Sequence, residues 1–152
     1  MNFKNVIKAA LIPAAAMMVL GVISTVISTV IAILLRGSFI ISLVLGLGFL
    51  ALNLLIAAYG GYRAVKKYGL DLIGAVLTGA LSYGAAGIVN GILSFTLLVS
   101  GLTPLTSSAS SVQGGMTMII IGGLIGLVIG FFIAIVLGAV LGLIGGFVAE
   151  KL

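Results

Sequence analysis

The sequence predicts an all-α membrane protein: a single domain over residues 1–152, built as a bundle of four transmembrane helices with both termini cytoplasmic. Three observations predict it. Of the residues, 62% are hydrophobic and only 6% are charged, and a fold of this size cannot be kept in water by so thin a charged surface. The few charges bound long uncharged runs, each sufficient for a helix to cross about 30 Å of hydrocarbon. The basic residues also fall almost entirely on alternate connections, the pattern that sets membrane orientation.

The first span is expected at about residues 11–35, within the 27 uncharged residues between Lys8 and Arg36. Lys4 and Lys8 before an apolar run resemble the start of a secretory signal. The run is longer than a signal core and no small-residue cleavage site closes it, so this segment is expected to be retained. The second span, about 39–62, occupies the 26 uncharged residues between Arg36 and Arg63. From Leu72 to Ala149 no residue is charged. A polar stretch, residues 101–115, rich in Ser with Pro104 and the pair Gly114-Gly115, breaks that run as turn residues do. The third and fourth spans therefore lie at about 72–99 and 116–148, joined by this uncharged outer loop.

With four spans, Lys4, Lys8, Arg63, Lys66, Lys67 and Lys151 share one side and Arg36 stands on the other. The excess of Lys and Arg marks the cytoplasm, so the protein is expected in the cytoplasmic membrane with both ends inside. Tyr59, Tyr62 and Tyr68 then sit at headgroup level. Arg63, Lys66 and Lys67 are spaced for one helix face. They serve as a positive-inside anchor or as a surface for anionic lipid or an acidic partner. Asp71 and Glu150 are placed to offset nearby positive charge. The net charge of +5 does not suggest nucleic acid, since there is no soluble basic face to carry a duplex.

The fourth span holds Gly122, Gly126, Gly130, Ala134, Gly138, Gly142 and Gly146 at every fourth position. Small residues at this spacing open a groove in which a second helix backbone approaches closely. A repeat of four against 3.6 residues per turn precesses by about 40° per step. One straight neighbour therefore cannot follow the whole groove. Either the partner crosses obliquely, or the two halves of the span meet different partners. The third span offers Ala80, Gly84, Gly87, Gly91 and Ser94, and the first offers Gly21, Ser24, Thr25, Ser28, Thr29 and Ala32. These faces either pack the four helices on one another or leave one face for another membrane chain, identical or different.

Asn53 and Asn90 are the most polar groups within the spans. Counted from the inner helix ends they lie at different heights, which matches Asn53 to Tyr83 and Asn90 to Thr25, Ser28 and Thr29. Each is expected to make an interhelical hydrogen bond. The alternative aligns them with Ser24, Ser28, Ser82 and Ser94 along a hydrophilic path. A weak repeat relates Gly60-Gly61-Tyr62-Arg63-Ala64-Val65-Lys66 to Gly145-Gly146-Phe147-Val148-Ala149-Glu150-Lys151.

Catalysis is not expected. The chain has no His or Cys, both carboxylates lie at membrane edges, and serine nucleophiles have only peripheral lysines as bases. No metal site and no cofactor are expected, since the usual ligands for zinc, haem and iron–sulfur centres are missing. Proton-coupled transport commonly uses an intramembrane carboxylate or His, and none is found.

The segment Gly60-Gly61-Tyr62-Arg63-Ala64-Val65-Lys66-Lys67, followed by Leu72 to Leu93, resembles small glycine-rich four-span proteins of prokaryotic, often archaeal, genomes. The resemblance covers about a third of the chain and implies no activity. The expected function is thus a non-catalytic membrane subunit that self-associates or joins a larger complex. The alternatives are a small oligomeric channel or facilitator, and an accessory that docks a cytosolic enzyme through its basic loop.

Overall fold

A computed structural model describes residues 3–34, 39–100 and 115–152. The described chain is helical: α1 spans Phe3–Leu34, α2 Phe39–Tyr68, α3 Leu72–Val99 and α4 Gly115–Lys151. All four are long and apolar enough to cross a membrane. A helix is the element a spanning chain must form there, because lipid offers no partner for an unpaired backbone group. The expected outer loop over 101–115 and Arg36 fall outside the described residues, except for Gly115, the first residue of α4.

The helices outrun the spans expected at the basic end. α1 begins at Phe3 rather than Leu11, α2 continues from Tyr62 to Tyr68, and α4 reaches Lys151. The expected limits were drawn at charges, and a charge marks the edge of the hydrocarbon, not the end of a helix. Capping sets the end. Gly69 adopts a left-handed φ of 60° and donates to the Val65 carbonyl, while the Leu70 amide reaches the Ala64 carbonyl. This is a glycine cap on α2, where a side chain would strain the backbone. Two residues later the Asp71 carboxylate accepts from the Gly74 amide at 2.9 Å and caps α3. Asp71 is therefore a helix cap, and its carboxylate is not paired with Arg63, Lys66 or Lys67. An Asp just before an apolar run is the sequence signal for this role. Replacing Asp71 with Ala should cost about 1 kcal/mol, whereas Asp71→Asn should be nearly neutral. Unfolding of the two variants in mild detergent checks this.

α2 and α3 touch each other and both remaining helices, whereas α1 and α4 make no contact among the described residues. The cross-section is a diamond with α2 and α3 on its short diagonal. α1 begins and α4 ends at the end that holds the α2–α3 turn: Val6 and Ala9 share a buried cluster there with Ala64, Leu70 and Ala75, and Gly146 lies against Ala75 and Leu72. A second cluster of Met17, Ala57 and Ala86 sits about two to three turns further in. Side chains this small bring the backbones together. In lipid the gain comes from dispersion contact rather than from removing apolar surface from water.

The face that α1 buries is Val6, Ala9, Ala10, Pro13, Ala14, Met17 and Gly21, at steps of three, one and four that keep to one side of a helix. The expected face of Ser24, Thr25, Ser28 and Thr29 lies beyond it, and there Ser28 is exposed. Pro13 is inside the helix and fully buried, its ring 3.1 Å from where a Cβ on Gly60 would stand. The Ser82 hydroxyl, also fully buried, lies within hydrogen-bond reach of the Ala10 carbonyl of α1 at 3.1 Å and the Thr78 carbonyl at 2.7 Å. Pro13, Gly60 and Ser82 thereby join α1, α2 and α3 at one level.

Candidate functional site

Two regions hold the residues singled out by sequence: the glycine contacts of α4 and the basic end of α2. The glycines come first because they position everything else. Near the basic end, α4 lies in the groove between α2 and α3 with backbone against backbone. A Cβ on Gly61 would be built into Gly142, one on Gly79 into Gly138, one on Gly142 into Ala75, and one on Gly145 into Ala58. In each case the obstructing atom is a main-chain carbonyl oxygen. Gly146 faces the Ala75 Cβ, and Gly138 also faces Tyr83.

The paired glycines have a geometric reason. Successive helix positions point about 100° apart, so a pair serves two neighbours at once. Gly60 meets α1 at Pro13 while Gly61 meets α4 at Gly142. Likewise Gly145 meets α2 at Ala58 while Gly146 meets α3 at Ala75. The weak repeat between the ends of α2 and α4 coincides with this shared packing.

Toward the other end the regular series separates from the bundle. Around Gly122, Gly126 and Gly130 no atom of the described residues packs within 4 Å of an added Cβ, and all three are exposed. α3 still meets α4 there, through Ala134 of the series and the larger residues Leu127, Phe131 and Ile135. Gly84 lies against Ile135, Gly87 against Ala134 and Gly91 against Leu127, at 3.1 to 3.4 Å. The precession of a four-residue repeat accounts for the split: the stripe that enters the groove at Gly138 and Gly142 has turned outward by Gly130. Ala80 is half-buried. A second small face on α3 went unread: Ala75, Thr78, Ser82 and Ala86 are all buried. Their steps of three and four were its available signal.

The intramembrane polar residues are not brought together. The Asn53 amide donates to Phe49 of its own helix at 3.0 Å, and Tyr83 packs beside Met17, Ala57 and Ala86. Asn90 does reach another helix, donating to the Met17 carbonyl at 3.5 Å, and its side chain lies over Gly21. It does not meet Thr25, Ser28 or Thr29. The early start of α1 explains the displacement: an origin eight residues sooner raises each α1 position by about 12 Å, so Gly21 stands at the height where Thr29 was expected. Thr25 and Thr29 donate instead to carbonyls one turn back in α1. Ser24 is half-buried.

The Asn90 Oδ1 is buried without a partner. An orphan acceptor in a low-dielectric interior is unfavourable. Asn90→Leu, close in volume, should therefore be neutral or stabilising within about 1 kcal/mol. A loss of several kcal/mol in detergent unfolding would contradict this.

At the basic end, Tyr59, Tyr62, Arg63, Lys66 and Lys67 share one face of α2 at helical spacing. With Ile12 of α1 they line an open recess of about 360 Å³. Tyr59 and Tyr62 stack with ring centroids 6.5 Å apart. Lys66 and Lys67 are exposed, but Arg63 keeps only 9% of its surface accessible. Its guanidinium lies 5.7 Å from the Tyr68 ring centroid and donates to the Tyr68 oxygen at 3.5 Å. Tyr68 in turn donates to the Lys8 carbonyl of α1 at 3.4 Å, which ties the arrangement to a second helix. The Lys151 ammonium is placed 4.7 Å over the Phe147 ring. No group of His, Cys, Asp and Glu able to hold a metal occurs among the described residues.

No known protein family, curated protein or solved structure matches this chain.

Proposed function

We propose that this protein is a non-catalytic subunit of the cytoplasmic membrane, with both termini in the cytoplasm, whose role is assembly through close helix packing. One observation carries the reading. The glycine series of α4 is divided into a stretch buried by its own chain, Gly138, Gly142 and Gly146, and an exposed stretch, Gly122, Gly126 and Gly130. The exposed stretch has the small-xxx-small pattern that lets two copies of one helix cross at backbone distance. A second copy of the chain is thus its simplest occupant, with a different membrane protein as the alternative.

The hydroxyls favour assembly over conduction. Thr25, Thr29, Thr78 and Thr96 each donate to a carbonyl one turn back in their own helix, and Ser82 is held between two carbonyls. Ser82, the path residue among them, is fully buried and held on two carbonyls, which supports a packing role for it.

The test is the mass of the native particle extracted in mild detergent, with co-purifying chains identified. Two or more copies, or a stable heteromeric partner, support the proposal. A monodisperse single chain contradicts it.

A further inference from the structure

We infer that the recess between α1 and α2 at the basic end binds the phosphate headgroup of an anionic lipid, with Arg63 as its central ligand. A charge needed only for orientation can stay in the aqueous interface, as Lys66 and Lys67 do. Arg63 is different. It is nine-tenths buried on the wall of a recess, and its partners among the described residues are a phenol oxygen and an aromatic ring, neither of them an anion. A buried cation in that position calls for a counter-charge. The guanidinium is planar, keeps its proton and matches two phosphate oxygens at once. Lys66 and Lys67, one turn further along the same face, add point charges above it.

The walls select a lipid over a free anion. Ile12 and Tyr59 are exposed on the perimeter of the bundle and border the recess, so it opens sideways toward acyl chains. A soluble phosphate has no use for that apolar border. Tyr68, anchored on the Lys8 carbonyl, acts as a positioning residue that holds the guanidinium in place. The inference is independent of the assembly proposed above.

Native mass spectrometry of the full chain, titrated with phosphatidylglycerol or phosphatidylcholine, tests it. One phosphatidylglycerol should be retained per chain in preference to phosphatidylcholine. Arg63→Gln should weaken that retention by about tenfold or more, and Lys66→Gln or Lys67→Gln by only about two- to threefold. All three substitutions remove the same charge, so equal effects would mean a diffuse field and would overturn the site. Arg63→Lys keeps the charge and removes the fork. It should still lose retention several-fold, and retention equal to wild type would contradict the assignment; this variant decides the matter should Arg63→Gln not fold. Displacement of the lipid by millimolar inorganic phosphate would reassign the recess to a soluble anion and overturn the lipid reading.

Discussion

Replacing Gly145 with Ala is expected to destabilise the bundle by about 3 kcal/mol or more, an unusually large effect for one methyl group. The reason is local. The new Cβ would be built into the Ala58 carbonyl, with the Tyr62 amide also inside contact distance. Neither group can rotate aside, because both belong to the α2 backbone. To admit the methyl, α4 has to move away from α2, and the contacts of Gly61 with Gly142 would open with it. Gly61→Ala should behave in the same way. The control is Gly48→Ala, exposed on α2 and away from the α4 stretch, where no atom of the described residues packs within 4 Å. That change should be neutral or stabilising by up to about 1 kcal/mol, because Ala is the better helix former. Detergent unfolding followed by helicity measures all three. Equal stabilities would mean that backbone proximity does not hold this end together.

The second large effect concerns assembly. Gly126→Leu combined with Gly130→Leu should leave the single chain folded, since among the described residues nothing packs on either position. The particle mass should nevertheless fall to that of a monomer, because two bulky side chains fill the stretch where another helix would approach. Gly138→Leu should behave oppositely. Its side chain would be driven into the Gly79 backbone and Tyr83 Cβ, so the monomer itself should fail. Three substitutions on one helix thereby separate packing within the chain from packing between chains. A doubly substituted protein that keeps its native mass would remove this stretch from any interface.

Much of the architecture was legible in the sequence, and the reason is physical. Nine charges in 152 residues can sit at only a few places in a bilayer, so Lys8, Arg63, Asp71 and Glu150 delimit the spans. The four-residue glycine series was equally plain, and its precession left two outcomes open, an oblique partner or different surroundings for its two halves. What misled was the origin of α1. Charge marked its entry into lipid at Leu11, whereas the helix had begun at Phe3. Every height counted from that origin was displaced, which is why Asn90 was matched to Thr25 and lies over Gly21 instead. Asn53 suffered the same error through α2, which runs on to Tyr68. Asp71 carried a local signal for its cap, an Asp just before an apolar run, whereas the buried hydroxyl of Ser82 depends on a helix 72 residues away. The burial of Arg63 was illegible for the same cause, since its neighbours Lys66 and Lys67 have similar charge and opposite exposure.

Cysteine crosslinking in intact membranes tests the central claim most directly, and the chain contains no native cysteine to confuse it. Single substitutions Gly126→Cys and Gly130→Cys would be oxidised in place, with Leu55→Cys as a comparison on an exposed face of α2. The account predicts a disulfide-linked dimer of this chain, or a crosslink to one defined partner under a thiol-reactive bifunctional reagent, at 126 and 130 and not at 55. Absence of any crosslink at 126 and 130, with the protein folded and membrane-inserted, would contradict it.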